Sequence, residues 1–292
     1  MRPTLEKSSA HLLILDLSCN RRYKAAVAPT QMLHPVNGGP NFTSAYGSCS
    51  GECAGKGCAI GCAFATLTSA DGVHFTHKSN SGEMGDRSSF FWDSFRKKWV
   101  YSIRTTECGR SRNYWDSDNF TNCSWPSTKA GVEQGHMGGL PWTAGVDSLD
   151  DQLVGTTTIQ RADLYNIDAV RYESLTLMMI SVHWLECRRG GVAHPECTAL
   201  YVGFSRDGWH ISRSEPAPGT HTRAPFAPWA PHAGMWHYGD IQSVAGGFLP
   251  ADNGSSLRFF VSGRSSSVKN GSVVAHTDGL GFTGVGRLRR DG

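Results

Sequence analysis

A polar turn motif recurs along this chain, and each copy directly follows a short apolar segment. The motif, here termed the hook, is a serine, an aspartate one or two positions later and an aromatic residue close behind. Its copies lie at residues 69–75, 117–120 and 205–210. A second pattern, an apolar segment ending in Asp, then a polar turn, basic residues and an aromatic residue, occupies residues 13–24 and 90–101. A period of about 40 to 50 residues built from strands and turns is typical of propeller blades.

The repeat predicts an all-β fold with a single β-propeller domain over residues 1–292. Four blade-like repeats are expected at about 11–77, 87–126, 162–213 and 238–290. The composition agrees, because 34 Gly and 13 Pro supply tight turns while aromatic and β-branched residues supply strands. The chain is long enough to bury a substantial core.

Charge and hydropathy exclude two classes of partner. The formal net charge of +3 is small and scattered, which argues against nucleic acid as a partner. The longest apolar runs have strand length and are too short to span a membrane. We therefore expect neither a nucleic-acid nor a membrane partner.

The cellular compartment is indicated by sequons and cysteines. Five asparagines stand in Asn-x-Ser/Thr sequons, namely Asn41, Asn119, Asn122, Asn253 and Asn270. Nine cysteines are many for a reducing cytosol. The N-terminal residues lack the apolar core of a signal peptide. We predict an extracellular or secretory-pathway protein whose natural N-terminus lies upstream of Met1.

Cysteine spacing suggests two further features. Cys49, Cys53, Cys58 and Cys62 lie in a Gly-rich insertion in the first repeat. Their spacing is compatible with a zinc site, but two local disulfides are the favoured interpretation. Common zinc sites have two close pairs of cysteines separated by a longer stretch. Cys108 and Cys123 flank a predicted hairpin and are expected to form a disulfide across it.

Two segments between the repeats are irregular. Residues 127–160 contain helix- and strand-breaking glycines and an acidic run, Asp147, Asp150 and Asp151, which is interpreted as solvated loop. Residues 214–237 form a Pro-rich linker. Either these segments together supply a fifth blade, or the chain has four.

Several segments resemble the five-bladed β-propeller glycosidases of the invertase, arabinanase and levansucrase type. They are residues 65–75, 86–93, 163–166, 204–210 and 288–292, which together span nearly the whole chain. The resemblance implies a five-bladed propeller fold and action on a carbohydrate. Relatives usually carry a further blade before the first repeat and a β-sandwich after the last, so the resemblance implies a chain shortened at both ends.

Candidate catalytic residues stand where first strands of the repeats begin. Glycoside hydrolysis needs two carboxyl groups that flank the scissile bond. Asp86, Asp163 and Asp240 precede the first strands of the second, third and fourth repeats, and in a propeller such positions converge on one funnel. Turn capping is an equally open interpretation of these three residues. The hook aspartates Asp71, Asp118 and Asp207 are expected to cap turns, and Asp16 and Asp93 to lie in hairpins.

The remaining candidates bind substrate or donate a proton. The pair Glu186-Cys187 resembles the Glu-Cys pair that carries the acid in invertase-like families, which makes Glu186 a fourth catalytic candidate. Arg104, His183, Arg264 and Asn166 are expected to bind the substrate. Sugar stacking and core packing are both open for five tryptophans, Trp92, Trp115, Trp142, Trp184 and Trp236. The sequence shows no motif for a metal or cofactor.

The predicted function is therefore a glycoside hydrolase that acts on an oligo- or polysaccharide through paired carboxylates. Two alternatives remain open at this point. One is a non-catalytic propeller that binds glycans or protein, and the other is an inactive, truncated homologue. Propellers host many activities, so the fold alone does not decide among them.

Overall fold

The structure, a computed structural model, describes most of the chain from residue 10 to residue 290. The described residues are 10–15, 23–27, 65–69, 73–82, 87–105, 110–125, 140, 142–154, 158–184, 187–189, 192–194, 197–216, 218–230, 235–238, 240–265, 267–269, 272–274 and 281–290. They form twenty-one strands and one short 3-10 turn, Asp252–Gly254.

Four sheets follow one another in chain order. The first contains β1 (Ala10–Leu15), β2 (Tyr23–Val27), β3 (Ala65–Ser69) and β4 (Thr76–Asn80). The second contains β5 (Ser89–Asp93), β6 (Lys98–Thr105), β7 (Ser111–Ser117) and β8 (Trp142–Ala144). The third orders β11 (Ala162–Tyr172), β12 (Leu175–Trp184), β15 (Cys197–Ser205) and β16 (Ser212–Arg213). The fourth orders β17 (Asp240–Ala251), β18 (Ser256–Arg264) and β21 (Gly281–Arg289).

Two smaller sheets complete the described architecture. One pairs β9 (Gln152–Val154) with β10 (Thr158–Gln160). The other joins β13 (Cys187–Arg189), β14 (Val192–His194), β20 (Ser272–Val274) and β19 (Ser267–Lys269) in that order. The all-β prediction is confirmed. Closure of the four main sheets into a propeller stays a prediction.

The chain divides into two compact units. Unit 1 is Met1–Glu107 with Asn113–Trp142, and unit 2 is Cys108–Arg112 with Thr143–Gly292. Each unit has its own apolar core. The core of unit 1 is aromatic, with Phe90, Trp99, Tyr101, Phe120 and Trp125 in mutual contact.

The core of unit 2 joins the third sheet to the fourth. Met179 and Leu200, from β12 and β15, pack with Ile241, Phe248 and Val261 from β17 and β18. β12 is buried over most of its length. Its apolar run is therefore that of a central strand covered on both faces, rather than of a strand with one solvated face.

The hook at residues 205–210 folds as the sequence predicts. Asp207 Oδ1 accepts hydrogen bonds from the backbone N–H groups of Trp209 (2.8 Å) and His210 (2.9 Å). Ser205 Oγ donates to the same oxygen and accepts the N–H of Gly208 at 2.8 Å. Asp93 likewise accepts the N–H groups of the turn between β5 and β6. These two aspartates are confirmed as turn residues.

In the hook at residues 117–120, the prediction that Asp118 caps the turn is wrong. Asp118 is exposed and its carboxylate contacts Lys98 Nζ at 3.0 Å. The neighbouring Asn119 takes the capping role, because its Oδ1 accepts the N–H of Thr121 at 3.0 Å. Asn and Asp side chains cap such turns in the same way, so the shift by one residue keeps the turn. Asp16 and Asp71 lie outside the described residues.

Two further expectations are corrected by burial. The acidic run is not solvated loop throughout, because the Asp150 side chain is fully buried between two arginines, Arg213 and Arg223. The expected bridge between Cys108 and Cys123 is also wrong: Cys123 is a free, buried thiol. Its burial raises the pKa of the thiol to about 11. Cys49, Cys53, Cys58 and Cys62 lie outside the described residues.

Parts of both segments considered for a fifth blade contact the third sheet. Leu200 of β15 and Ala227 exchange backbone hydrogen bonds at 2.9 and 3.1 Å. The backbone carbonyl of Asp150 accepts the indole N–H of Trp184 at 2.9 Å. Within the described parts of residues 127–160 and 214–237, the strands not already assigned to the second sheet are those of the β9–β10 hairpin.

Candidate functional site

Six of the eight predicted site residues lie within the described structure. Asp86 and Glu186 lie outside it. Arg104 is buried in β6, where its backbone N–H donates to Ser88 Oγ at 2.9 Å. The other five all belong to unit 2, in β11 (Asp163, Asn166), β12 (His183), β17 (Asp240) and β18 (Arg264).

Contacts between β11 and β17 fix how these residues are arranged. Asn166 Nδ2 donates to Ser243 Oγ at 3.1 Å. Further along both strands, Gly247 lies so close to Asp168 that an added Cβ would stand 2.9 Å from its carbonyl oxygen. The two contacts advance in the same direction, so β11 and β17 run parallel. Asp163 and Asp240, each three residues before the first contact, therefore lie at one end of unit 2, termed here the strand-start end.

An irregularity in β11 brings two of the candidates onto one face of the sheet. Asp163 pairs with His183 and Asn166 with Ser181, while the register shifts between Leu164 and Asn166. Residues three apart on a regular strand would face opposite sides. The extra residue of the bulge turns Asn166 to the same face as Asp163. The sheet thereby presents Asp163, Asn166 and His183 together.

Arg110 and Tyr165 complete the surroundings of Asp163. The backbone N–H of Arg110 donates to Asp163 Oδ1 at 3.1 Å, and its guanidinium donates to Oδ2 at 3.2 Å. The guanidinium also lies 5.5 Å from the centre of the Tyr165 ring, which lies 5.3 Å from the ring of His183. The Asp163 side chain is 25% exposed. Asp163 is thus an oriented carboxylate within reach of a ligand.

The His183 ring is fixed on its inner side. His183 is buried, and its Nδ1 lies 3.3 Å from Thr198 Oγ1, on the adjacent strand β15. A histidine held in this way has one ring orientation, which suits a group that binds or positions a substrate hydroxyl.

Asp240 has a different environment from Asp163. It is 6% exposed, and its Oδ2 accepts a hydrogen bond of 2.5 Å from Gln242 Nε2. Its register partner across the sheet is the exposed Arg264. The pairing repeats that of Asp163 with His183, an acid at the start of the first strand opposite a basic residue at the end of the second. The two sheets therefore present the same acid and base pattern.

Trp236 lies at the strand-start end as well. Its ring lies against Gly263 and Gly284, where an added Cβ would stand 2.3 Å and 3.3 Å from ring atoms. Only glycine leaves space for an indole so close to the sheet. Gly263 directly precedes Arg264, and successive residues of a strand face opposite sides of the sheet, so the half-buried Trp236 lies on the face opposite Asp240 and Arg264. There it packs against the apolar core of unit 2.

Three other tryptophans proposed for stacking also lie in or against an apolar core. Trp184 is fully buried, and Trp92 and Trp115 pack against the aromatic core of unit 1. The side chain of Trp142 lies outside the described set. Core packing, the second interpretation left open by the sequence, is confirmed for Trp184.

Four residues of the site were missed by the sequence interpretation. They are Arg110, Tyr165, Thr198 and Gln242. Arg110 lies fifty-three positions before Asp163, so no local pattern links the two. Gln242 offered a weak local signal, because it stands two residues after Asp240 on the same face of the strand.

The described residues hold no group of three or more His, Cys, Asp or Glu side chains arranged to bind a metal ion. Among the described residues, no helix is both long and apolar enough to cross a membrane.

Comparison with known proteins gives weak fold likenesses. No family model and no curated protein matches the chain. A solved N-acetylgalactosamine deacetylase from F. plautii, in complex with blood group B trisaccharide, is 12% identical with a TM-score of 0.49, covering 97% of this chain and 89% of that one. A solved glycosyl hydrolase from Bacteroides ovatus is 10% identical with a TM-score of 0.42, covering 96% of this chain and 66% of that one. Likenesses this distant leave the function to be argued from the chain's own residues.

Proposed function

We propose that this protein is a carbohydrate-active enzyme that binds an oligo- or polysaccharide at the strand-start end of unit 2 and hydrolyses a glycosidic bond. The observation that carries the proposal is the common end of the parallel strands β11 and β17, where Asp163 and Asp240 each face a basic residue. In this proposal the four main sheets are blades of one propeller of the five-bladed glycosidase type.

The two carboxyl groups are suited to different roles in hydrolysis. One group must protonate the leaving oxygen, and the other acts as base or nucleophile. Asp240 is the proposed acid, because it is the more buried of the two carboxyl groups. Asp163 is the proposed base or nucleophile, since it is more exposed and faces the guanidinium of Arg110. Asp86 and Glu186 remain proposed additional carboxyl groups.

Substrate binding is assigned to the basic side chains around these carboxylates. His183 and Arg264 would donate hydrogen bonds to sugar hydroxyls. Asn166 is proposed to position β11 rather than to touch substrate. Its amide donates to Asp168 Oδ2 at 2.9 Å and to Ser243 Oγ, and it is buried.

We also propose that the protein is secreted. Cys197 is disulfide-bonded, which is expected in an oxidising compartment and rare in the cytosol.

The proposal is tested by removing each carboxylate in turn. Asp163→Asn and Asp240→Asn keep the side-chain shape, and Asp118→Asn, at an exposed position in unit 1, is the matched control. Hydrolysis is measured as the release of reducing ends from a panel of plant and algal oligosaccharides. We expect both site variants to lose at least about 100-fold in rate, with the control at the wild-type rate. Unchanged hydrolysis in both site variants, with circular dichroism also unchanged, would refute the assignment.

A second candidate function is glycan binding without turnover. It is favoured by the hydrogen bonds that both oxygens of Asp163 already accept from Arg110 and by the burial of Asp240. Such carboxylates are well placed to hold a ligand. Saturable binding on a glycan array that weakens in Asp163→Asn, without any product from the bound glycans, would support this alternative over hydrolysis.

A further inference from the structure

The turn after β7 contains a glycosylation sequon in a distinctive geometry. Asn119 is exposed, and its Oδ1 accepts two hydrogen bonds from Thr121, one from the backbone N–H and one from the hydroxyl, each at 3.0 Å. The backbone N–H of Asn119 donates to Ser117 Oγ at 3.2 Å. Both donors to the carboxamide approach its oxygen. Among the described residues, none bonds to Asn119 Nδ2.

The other two described sequons lack this arrangement. In the sequon of Asn122, the Ser124 hydroxyl donates instead to the carbonyl oxygen of Asn80 at 2.9 Å. In the sequon of Asn253, the Ser255 hydroxyl donates to the carbonyl oxygen of Asp252 at 2.8 Å. All three asparagines are exposed. They therefore differ in where the hydroxyl of the third sequon residue is directed, rather than in accessibility.

We propose that Asn119 is an N-glycan acceptor and is modified in preference to Asn122 and Asn253. The donor is an oligosaccharide linked to a polyprenyl diphosphate. A bond forms between Asn119 Nδ2 and the anomeric carbon of the sugar, the bond from that carbon to the phosphate oxygen breaks, and polyprenyl diphosphate leaves. The proton that Nδ2 loses passes to the solvent.

The local nature of the turn supports this preference. The hydrogen bonds of the Asn119 carboxamide and backbone N–H join residues two apart, from Ser117 to Asn119 and from Asn119 to Thr121. Tyr101 and Ser79 bond only to backbone carbonyl oxygens of the turn, those of Phe120 and Thr121. Asx turns of this kind need no distant partner, so the acceptor geometry is available in the nascent chain. Hydrogen bonding of the hydroxyl to Oδ1 polarises the carboxamide and leaves Nδ2 directed toward the approaching sugar.

The neighbouring Asn122 would compete for the same enzyme. Its backbone N–H donates to the Asn119 carbonyl oxygen at 2.9 Å, so the two side chains project from one tight turn. A glycan on Asn119 would obstruct a second one only three residues away. We therefore expect single occupancy at this turn.

The test is translation of the full chain, preceded by a signal peptide, in the presence of endoplasmic-reticulum microsomes. Glycan addition is scored as a mobility shift that peptide N-glycosidase removes, and the site is identified by mass spectrometry after release in heavy-oxygen water. Asn119→Gln and Thr121→Ala should carry no glycan on residue 119. Asn122→Gln is the matched control and should keep it, as should Thr121→Ser, which retains the hydroxyl.

The microsome assay scores the nascent chain, so a variant that folds poorly still gives a result. A wild-type chain that carries its glycan on Asn122, with Asn119 unmodified, would overturn the proposal. So would a protected, translocated chain with no glycan at residues 119–122. Hydrolase activity does not enter the test, so its outcome is independent of the proposed enzymatic function.

Discussion

Replacing Asp150 by Asn should destabilise unit 2 more than replacing any exposed carboxylate. The Asp150 side chain is fully buried, and it lies 2.8 Å from Arg213 and 3.0 Å from Arg223. Asp150→Asn keeps the volume and removes the charge. Both guanidinium groups are nearly buried, so they would lose a carboxylate that water cannot replace.

The expected loss of unfolding free energy depends on the ion pairs that remain after the substitution. Removing one partner of a buried ion pair costs about 3–5 kcal/mol. Asp147 also forms ion pairs with both arginines, at 3.3 Å from Arg213 and 2.5 Å from Arg223. In Asp150→Asn the charges of the two arginines therefore stay partly neutralised. We therefore expect a loss of about 3 kcal/mol, a large fraction of the ~5–15 kcal/mol that typically stabilises a folded protein.

The matched control is Asp147→Asn. Asp147 binds the same arginines, but it is 49% exposed. Both arginines keep the buried carboxylate of Asp150 when Asp147 is replaced, and an exposed ion pair contributes little, so the expected loss is at most about 1 kcal/mol. Urea unfolding, followed by tryptophan fluorescence, measures both variants. A loss below about 1 kcal/mol in Asp150→Asn, or equal losses in the two variants, would show that burial does not set the energetics of this network.

Three further outcomes are expected. Burial raises the pKa of the Cys123 thiol to about 11, so peptide mapping should find it unalkylated in the native protein at neutral pH and alkylated in urea; rapid native labelling would contradict the buried site. Gly82→Ala should cost about 1–3 kcal/mol, because its Cβ would stand 2.3 Å from the Trp125 ring and carbonyl oxygen, whereas Gly281→Ala, with open space around it, should leave the urea midpoint unchanged. The hydrogen bonds from His210 hold the pKa of Asp207 below its usual range. The stability that the Asp207 carboxylate contributes is therefore complete above its unfolded pKa and is lost as pH falls through the lower folded pKa. The urea midpoint of Asp207→Ala should accordingly fall less in acid than that of the wild type.

The hooks show which parts of the fold a sequence can predict. Every hydrogen bond that closes the turn at Asp207 comes from a residue at most three positions away. Such contacts depend on residue order alone, which is why the motif predicted a turn. The exchange of roles between Asp118 and Asn119 marks the limit of that inference. Two adjacent residues with similar capping ability are separated only by the geometry of the strand that precedes them.

The Asp150 network shows what the sequence does not contain. Its partners Arg213 and Arg223 lie 63 and 73 positions away. Arg213 ends the predicted third repeat, and Arg223 lies in the segment whose prolines indicated only a linker. A short acidic run is most often solvated, and nothing within it distinguishes the buried Asp150 from the exposed Asp147. Only the packing of residues 213–230 against β15 places two guanidinium groups over one carboxylate. Long-range pairing of this kind is a property of the tertiary structure.

The candidate site lies between these two cases. The repeat pattern placed Asp163 and Asp240 at equivalent strand starts, and strand pairing then sets His183 opposite the first and Arg264 opposite the second. Arg104 is the last residue but one of β6. Like His183 and Arg264, it stands at or near the end of the second strand of its sheet. A basic residue thus recurs at one position in three sheets, although it contributes differently to each: Arg104 and His183 are buried and Arg264 is exposed. Repetition along the chain therefore predicts which residues pair at the strand starts of unit 2, whereas the burial of each residue depends on packing against residues distant in sequence, such as Thr198 beside His183.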